Sequence, residues 1–479
     1  MRAVAAGHPA TAEVGAEILE AGGSAADAVV AACLASCVAE TVMTGLLGGG
    51  HAIHFEAAEG RAQNLDCFVA VPGLGREGEP VPLLELEVPF GMELVHYAVG
   101  IGSCGVPGVP AGLDALWQAY GRLSWPRLVE PALSLARGSV PMPAAHAVCL
   151  RMLAPVMTMN EGARIYSPGG KLLAEGDLLR QPGLVAALEA LAEEGPRSAY
   201  EGKLARALLG LMEERGGLVT TEDLMAYEAR WSDPVEVEFR GYRVKTRAGL
   251  SDFPAALRRL DELRGLSEPE RVLAFAAALL DEPPAQYGTT NITAIDEDGN
   301  ACVLTTSLGL GSGDFVPGFD LHLNSMLGEA DLLTGSPEPG ERMASMMAPT
   351  IALRSGARAE PTRPSVRRRR VGASGDGVAL AVGAAGGTRL RSALLQVVAG
   401  ILDEGLAPQT AVDRPRLHPV ASLVHLEPGF GPETTGALES AGFEVRTWPD
   451  RHHYFGGVSA LTPNGAAGDP RRNGEARVV

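Results

Sequence analysis

Positive charge is what this chain is short of. Its 479 residues carry 40 Lys and Arg against 58 Asp and Glu, a formal net charge of −18. Such a surface argues against nucleic acid and anionic membrane as partners, since either would be approached against repulsion. Long apolar runs are missing too. None reaches the roughly 18 residues that a spanning helix needs. The 46% hydrophobic content therefore goes into a large core, enough for one large or two ordinary domains. The start, Met1-Arg2-Ala3-Val4-Ala5-Ala6-Gly7-His8-Pro9, holds no apolar signal core and enters the fold at once. Cysteine is sparse. Cys33, Cys37, Cys67, Cys104, Cys149 and Cys302 form no Cys-x-x-Cys and no ligand cluster. Cys33 and Cys37 stand at i, i+4 on one helix face, as small core residues do. His452-His453 lack an adjacent Glu or Cys, which argues against a metal site. No internal repeat occurs. These absences lead to the expectation of a cytoplasmic, reducing location.

What is present centres on residues 287–307. Ile292 and Ala294 alternate with Thr293 and Ile295, Asp298-Gly299-Asn300 supplies turn chemistry, and Val303-Leu304-Thr305 has strand composition. That predicts a hairpin. Gly288 directly before Thr289-Thr290 adds a chemical option, because a threonine hydroxyl can attack its own preceding carbonyl. On its own, Gly-Thr-Thr is also what a turn entering a strand looks like.

The remaining chain alternates strands and helices. Residues 3–6 read as a strand, 11–21 as a helix, and 25–40 as a small-residue helix with a broad apolar face. Gly48-Gly49-Gly50 turns into a strand at 52–55, and 111–120 is helical behind Pro107, Gly108 and Pro110. Two helices, 184–194 and 203–214, are split by Gly195-Pro196. Residues 219–227 read as a helix with Thr221 as N-cap, and 233–244 as a strand. Arg367 to Arg370 interrupt two strand-like runs, 350–353 and 378–382. A basic run can hold an anion, but in an acidic chain it reads as a solvated insertion spanning 354–375. After the second run comes Gly383-Ala384-Ala385-Gly386-Gly387-Thr388-Arg389, opening a helix with Leu390, Leu394, Val397, Val398 and Ile401 on one face. Backbone N–H groups at such a turn have no intrahelical partner and can stabilise an oxyanion. They suit a phosphate as well. A P-loop is rejected, because no Lys-Ser or Lys-Thr follows the glycines.

Thr289-Thr290 opening a strand, the Asp296-to-Asn300 turn, and Thr305 to Ser307 in the second strand together resemble the γ-glutamyltransferases of the N-terminal-nucleophile (Ntn) hydrolase superfamily. The likeness extends to His8-Pro9, residues 21–28, Gly48 to Gly50, residues 105–132, Met347, Pro349 and Thr350, Gly386-Gly387, and Gly468 to Arg472. It therefore runs from end to end. It implies a four-layer αββα sandwich of class α+β. It also implies a precursor of one domain that cuts itself between Gly288 and Thr289 into a large subunit, 1–288, and a small catalytic subunit, 289–479. The freed Thr289 amine would serve as base for its own hydroxyl, so no His or Asp partner is required. Ser307 would be the helper hydroxyl, and Gly386 and Gly387 the oxyanion donors. No metal or organic cofactor is implied, and a homo-oligomer stays open.

Departures from the family pattern cluster at the substrate-binding positions. Phe68 stands where relatives pair an Arg with the substrate α-carboxylate, and a phenyl ring cannot replace a bidentate guanidinium. The stretch holding the α-ammonium reads Asn324-Ser325-Met326-Leu327-Gly328, without its second Asp. Gly309 replaces an Asn, Ser345-Met346 a Ser-Ser pair, and Asn291 a His. Leaving a zwitterion without these charges would cost several kcal/mol of binding. Two classes follow: a self-processing amidase or acyltransferase for a small amide whose acyl group is not γ-glutamyl, or a pseudoenzyme with a structural or binding role. Phe68, Asn324, Ser325, Ser345 and Met346 are the expected substrate-binding positions.

Overall fold

The computed structural model describes residues 1–76, 81–280, 289–329, 332–333, 335, 337–354, 377–387 and 389–479. Gly288 and most of the Arg-rich insertion lie outside them. Two antiparallel sheets form the centre. The first has seven strands in the order Glu475–Val478, Ala3–Ala6, Thr290–Ile295, Ala301–Ser307, Gly49–Glu56, Arg61–Cys67, Arg230–Ser232. The second has six, in the order Gly465–Ala467, Gly457–Thr462, Val378–Ala385, Thr350–Arg354, Tyr242–Thr246, Val235–Phe239.

Side-chain alternation explains why the sheets stack. Ala3, Ala5, Ile53, Phe55, Ile295, Ala301 and Val303 of the first sheet meet Ile351, Leu353, Ala381 and Leu461 of the second in one buried cluster. The intervening residues Val4, Ala6, Ile292, Ala294, Cys302 and Leu304 point the other way. They pack on a helical layer that includes Pro9–Glu20, Ala25–Ala39, Val109–Tyr120, Trp125–Gly138, Pro182–Glu194 and Lys203–Arg215. A second helical layer, with Glu268–Leu279, Arg389–Leu402 and Pro432–Ser440 among its members, covers the outer face of the second sheet. The result is αββα. Each large apolar side chain buried here contributes roughly 1.5–3 kcal/mol, and strands buried on both faces collect that on every residue.

The hairpin of residues 290–307 follows the sequence closely. Thr290 pairs with Thr306 and Ile295 with Ala301. Asp296 closes the turn, one carboxylate oxygen accepting from the N–H groups of Asp298 and Asn300, both at 3.0 Å. Its other oxygen accepts from Asn300 Nδ2 at 2.9 Å and from the Ala25 N–H at 3.1 Å. One carboxylate thus ties the turn to the positive end of helix Ala25–Ala39. That helix is buried on every side rather than on one broad face.

Two local expectations need correction. Helix Thr221–Ala226 is capped by Thr220, not Thr221, in a capping box with Asp223. The single strand expected over 233–244 is a hairpin, Val235–Phe239 with Tyr242–Thr246, reversing at Arg240 and Gly241, whose φ values are 52° and 79°. Such a two-residue turn needs left-handed backbone at both positions, and Arg240 carries no sequence sign of it. His452 and His453 belong to an aromatic cluster with Phe90, Trp448 and Tyr454. All six cysteines are free and buried.

Both halves of the chain contribute to both sheets. The hairpin of residues 290–307 sits between Ala3–Ala6 on one side and Gly49–Glu56 on the other.

Candidate active site

Thr289 precedes the first residue of its strand, and Ser307 ends the neighbouring strand, so the hairpin register brings both to one end of the sheet. Ser307 pairs in turn with Gly49. The triple glycine is what lets this end close. A Cβ on Gly48 would strike the Ser307 carbonyl, and one on Gly49 would stand 2.6 Å from the Val69 nitrogen. A side chain at 48 would push Ser307 away from the hairpin end, and one at 49 would displace the backbone of Phe68 and Val69. The Ser307 hydroxyl accepts from the Gly309 N–H at 2.9 Å.

From the second sheet, strand Val378–Ala385 runs into Gly386 and Gly387, with φ of 136° and 59°. The first value is in practice open only to glycine. At Gly386 a Cβ would also stand 2.8 Å from the Gly456 Cα. Helix Arg389–Leu402 follows at once.

Thr289, Ser307, Gly387, Phe68, Ser345 and Met346 line a single small cavity. Six of the expected positions therefore converge. Met326, Glu329, Leu332, Met347 and Leu390 complete the lining. Gly386 adjoins Gly387 but is not part of that lining, and Gly288 lies outside the described residues.

Asn324 and Ser325 do not join the site as substrate ligands. The Asn324 amide donates to the Leu47 and Gly105 carbonyls, both at 2.9 Å, and its oxygen accepts from the Gly105 and Met326 N–H groups. Both donors and both acceptor positions are spent on holding loops together. The Ser325 hydroxyl accepts from the Leu310 N–H at 3.1 Å. These side chains build the wall rather than face the cavity.

Phe68 is held from every direction. Its N–H donates to Asp66, and its carbonyl accepts from Tyr227 Oη at 2.6 Å and Arg342 Nη1 at 2.8 Å. Its ring stacks on His51, centroids 5.4 Å apart. Burial, with Arg247 and Arg342 nearby, keeps His51 neutral by pushing its pKa well down. Arg247 donates to the Ser345 and Met347 carbonyls at 3.1 and 3.3 Å. Neither arginine belongs to the cavity lining.

Glu329 is the one charged residue of this lining and was not among the expected substrate-binding positions. A Cβ on Gly309 would strike its carboxylate and stand 2.7 Å from the Ser325 hydroxyl. The carboxylate therefore occupies the space a side chain at 309 would fill. The signal was the absence of that side chain.

The sequence profile of the gamma-glutamyltranspeptidase family matches residues 11–277 and 370–479. The chain belongs to that family. Among related members are the acylase ACY 1 proenzyme of Pseudomonas sp. (strain SE83), 28% identical with 96% of this chain and 89% of that protein covered. The glutathione hydrolase proenzyme of Escherichia coli (strain K12) is 26% identical, over 90% of this chain and 84% of that protein. The cephalosporin acylase of Bacillus halodurans superposes with a TM-score of 0.81 at 22% identity, covering 99% of this chain and 95% of that structure. The last likeness concerns the fold, which is that of an Ntn hydrolase, as the four layers imply. Family membership makes the chain an enzyme of the hydrolase type and gives the two glycine turns and the hairpin their context.

Proposed function

We propose that this protein is a self-processing amidohydrolase or acyltransferase with Thr289 as N-terminal nucleophile and an acyl specificity other than γ-glutamyl. The observation carrying this reading is one cavity in which Thr289, Ser307 and Gly387 meet Phe68, Met326, Leu332, Met346, Met347 and Leu390. The apolar part of the lining rewards apolar contact, and its one charged residue, Glu329, is an anion that would repel a desolvated carboxylate rather than pair with it. That relatives are named proenzymes and acylases supports both halves of the reading.

In maturation, Thr289 Oγ attacks the Gly288 carbonyl carbon. The C–N bond to Thr289 breaks, an ester to Oγ forms, and the hydroxyl proton ends on the Thr289 nitrogen. Water then opens the ester, leaving a Gly288 carboxylate and a free Thr289 amine. In turnover that amine takes the proton from Oγ as the hydroxyl attacks the substrate amide, then delivers it to the departing amine. The backbone at Gly386-Gly387 receives the developing oxyanion. Water or an acceptor amine releases the acyl group.

The test is a denaturing gel with N-terminal sequencing, followed by kinetics. Wild type should give fragments 1–288 and 289–479, and Thr289→Ala a single intact chain. The matured enzyme should then show higher kcat/KM for a simple acyl anilide than for γ-glutamyl-p-nitroanilide. Cleavage persisting in Thr289→Ala would remove the nucleophile assignment. An uncut, inactive wild type would favour the binding role instead.

A further inference from the structure

Behind the cavity, a buried polar group holds the nucleophile's own peptide unit, on residues the reaction above leaves unused. Arg472 Nη1 donates to the Thr289 carbonyl oxygen at 3.1 Å. On the other side of the same peptide unit, the Thr290 hydroxyl donates to the Glu40 carboxylate. The second Glu40 oxygen accepts from the Thr11 hydroxyl at 2.7 Å. Glu40 is the residue that ends helix Ala25–Ala39, and it is 1% exposed. Gly7 makes the approach feasible, since a Cβ there would stand 2.6 Å from Glu40 Oε2 and 2.7 Å from Thr290 Oγ1. Just beyond, the Thr44 hydroxyl meets the Thr306 hydroxyl at 2.8 Å. The turn of residues 40–44 thus grips both strands that carry the reacting hydroxyls.

We propose that Glu40 is a positioning residue for maturation and turnover, acting through Thr290 and together with Arg472 to fix the Thr289 peptide for attack. This rests on Thr289 being the nucleophile. Only a carboxylate can accept from both threonines at once. When one oxygen is protonated, it becomes a donor, and one of the two grips weakens.

The precursor offers a clean view of this group. Before cleavage the Thr289 nitrogen is an amide and does not titrate, so pH dependence of the cut comes from elsewhere. Burial raises Glu40 to about 7, against the pull of Thr290, Thr11 and Arg472. The charged group acting on it is Arg472 from the C-terminal turn. Around Arg472 stand His146 and Cys149 from helix Ala144–Met157, with His8, ahead of helix Pro9–Glu20, against His146. His8 is lowered to about 4 and His146 to about 3, while Cys149 is raised to about 12, each chiefly by burial. Arg472 is lowered, also by burial, from a value far above neutrality. Among these described residues, Glu40 is the one that changes charge near pH 7.

The experiment follows the cut by denaturing gel from pH 5.5 to 8.5 in wild type, Glu40→Gln, Thr290→Val and the double variant. Thr289→Ala serves as control. Wild-type maturation should accelerate through pH 7. Glu40→Gln should mature about ten- to a hundredfold more slowly at pH 8, the scale of a lost charge-assisted grip, and lose the inflection. Thr290→Val should behave alike, and the double variant should add nothing to either. Thr290→Ser should restore the wild-type profile. If Glu40→Gln is folded yet cuts at the wild-type rate and with the wild-type inflection, Glu40 has no positioning role. The same holds if the single effects multiply. If Glu40→Gln does not fold, Thr290→Val against Thr290→Ser carries the decision. Cutting in Thr289→Ala would instead sink the nucleophile assignment and leave the Glu40 data to be read for another residue.

Discussion

At the scale of single residues, Ser307 has two tasks that can be separated. Its oxygen holds the Gly309 N–H, and its hydroxyl shares the cavity with Thr289. Ser307→Ala should cost about 1 kcal/mol of stability for the lost backbone contact. Turnover should fall roughly ten- to a hundredfold, the usual scale of an acid–base helper. Thermal melting beside kcat on a simple acyl anilide measures both, and unchanged kcat would reduce Ser307 to a strand residue. Gly309 makes a complementary case. Its φ of 68° is one that Asn tolerates, so Gly309→Asn should fold. The new side chain must displace the Glu329 carboxylate, and kcat/KM for the preferred acyl anilide should drop about tenfold or more. It should gain nothing on a γ-glutamyl anilide. Phe68→Arg should likewise not rescue turnover of a γ-glutamyl anilide, since it would bury a further cation beside Arg342. Most of the cavity was legible in the sequence because a motif read along the chain names its own residues. Glu40 and Arg472 were not, since their contacts with Thr290 and Thr289 join residues 250 and 183 positions apart. Asn324 misled because a side chain wholly committed to loop carbonyls looks, in a sequence, like one committed to a ligand.

At the scale of elements, the hairpin is held at both ends by side chains from outside it. Asp296 fixes the turn end against helix Ala25–Ala39, and Glu40, at the far end of the same helix, holds the opposite end through Thr290. Asp296→Ala removes several acceptor contacts at once and should destabilise by about 2–4 kcal/mol. The check is a lower urea midpoint at unchanged slope. Glu40 has the opposite thermodynamic sign. Its folded pKa lies above the value of about 4.5 expected when unfolded, so between the two the native state holds the extra proton. That contribution is fully present below the unfolded pKa and is lost as pH rises through 7. The size is about 3 kcal/mol. Glu40→Gln carries no such loss, so its melting temperature should gain on wild type between pH 5 and 8. A constant difference over that range would show that Glu40 is not buried as a titrating acid. Hydrophobic alternation announced these strands and helices. It could not announce the Arg240-Gly241 reversal, where one extended run becomes two, because nothing in Arg240 favours left-handed backbone.

At the scale of the whole molecule, the two segments on either side of residue 288 are interleaved rather than juxtaposed. The hairpin that begins at the proposed cut is hydrogen-bonded on both flanks by strands of the earlier segment, and strands 235–239 and 242–246 extend the later segment's sheet. Fragments 1–288 and 289–479 should therefore co-elute in native chromatography and part only in denaturant. Separation under native conditions would contradict this sheet order. The interleaving also alters what unfolding means after the cut. An intact chain regains its strand order in a first-order process, whatever its dilution. Once cut, the same order requires two molecules to meet and thread one hairpin between two strands, so recovery becomes second-order and competes with aggregation. The mature protein would then owe its lifetime to the height of its unfolding barrier, with no route back at low concentration.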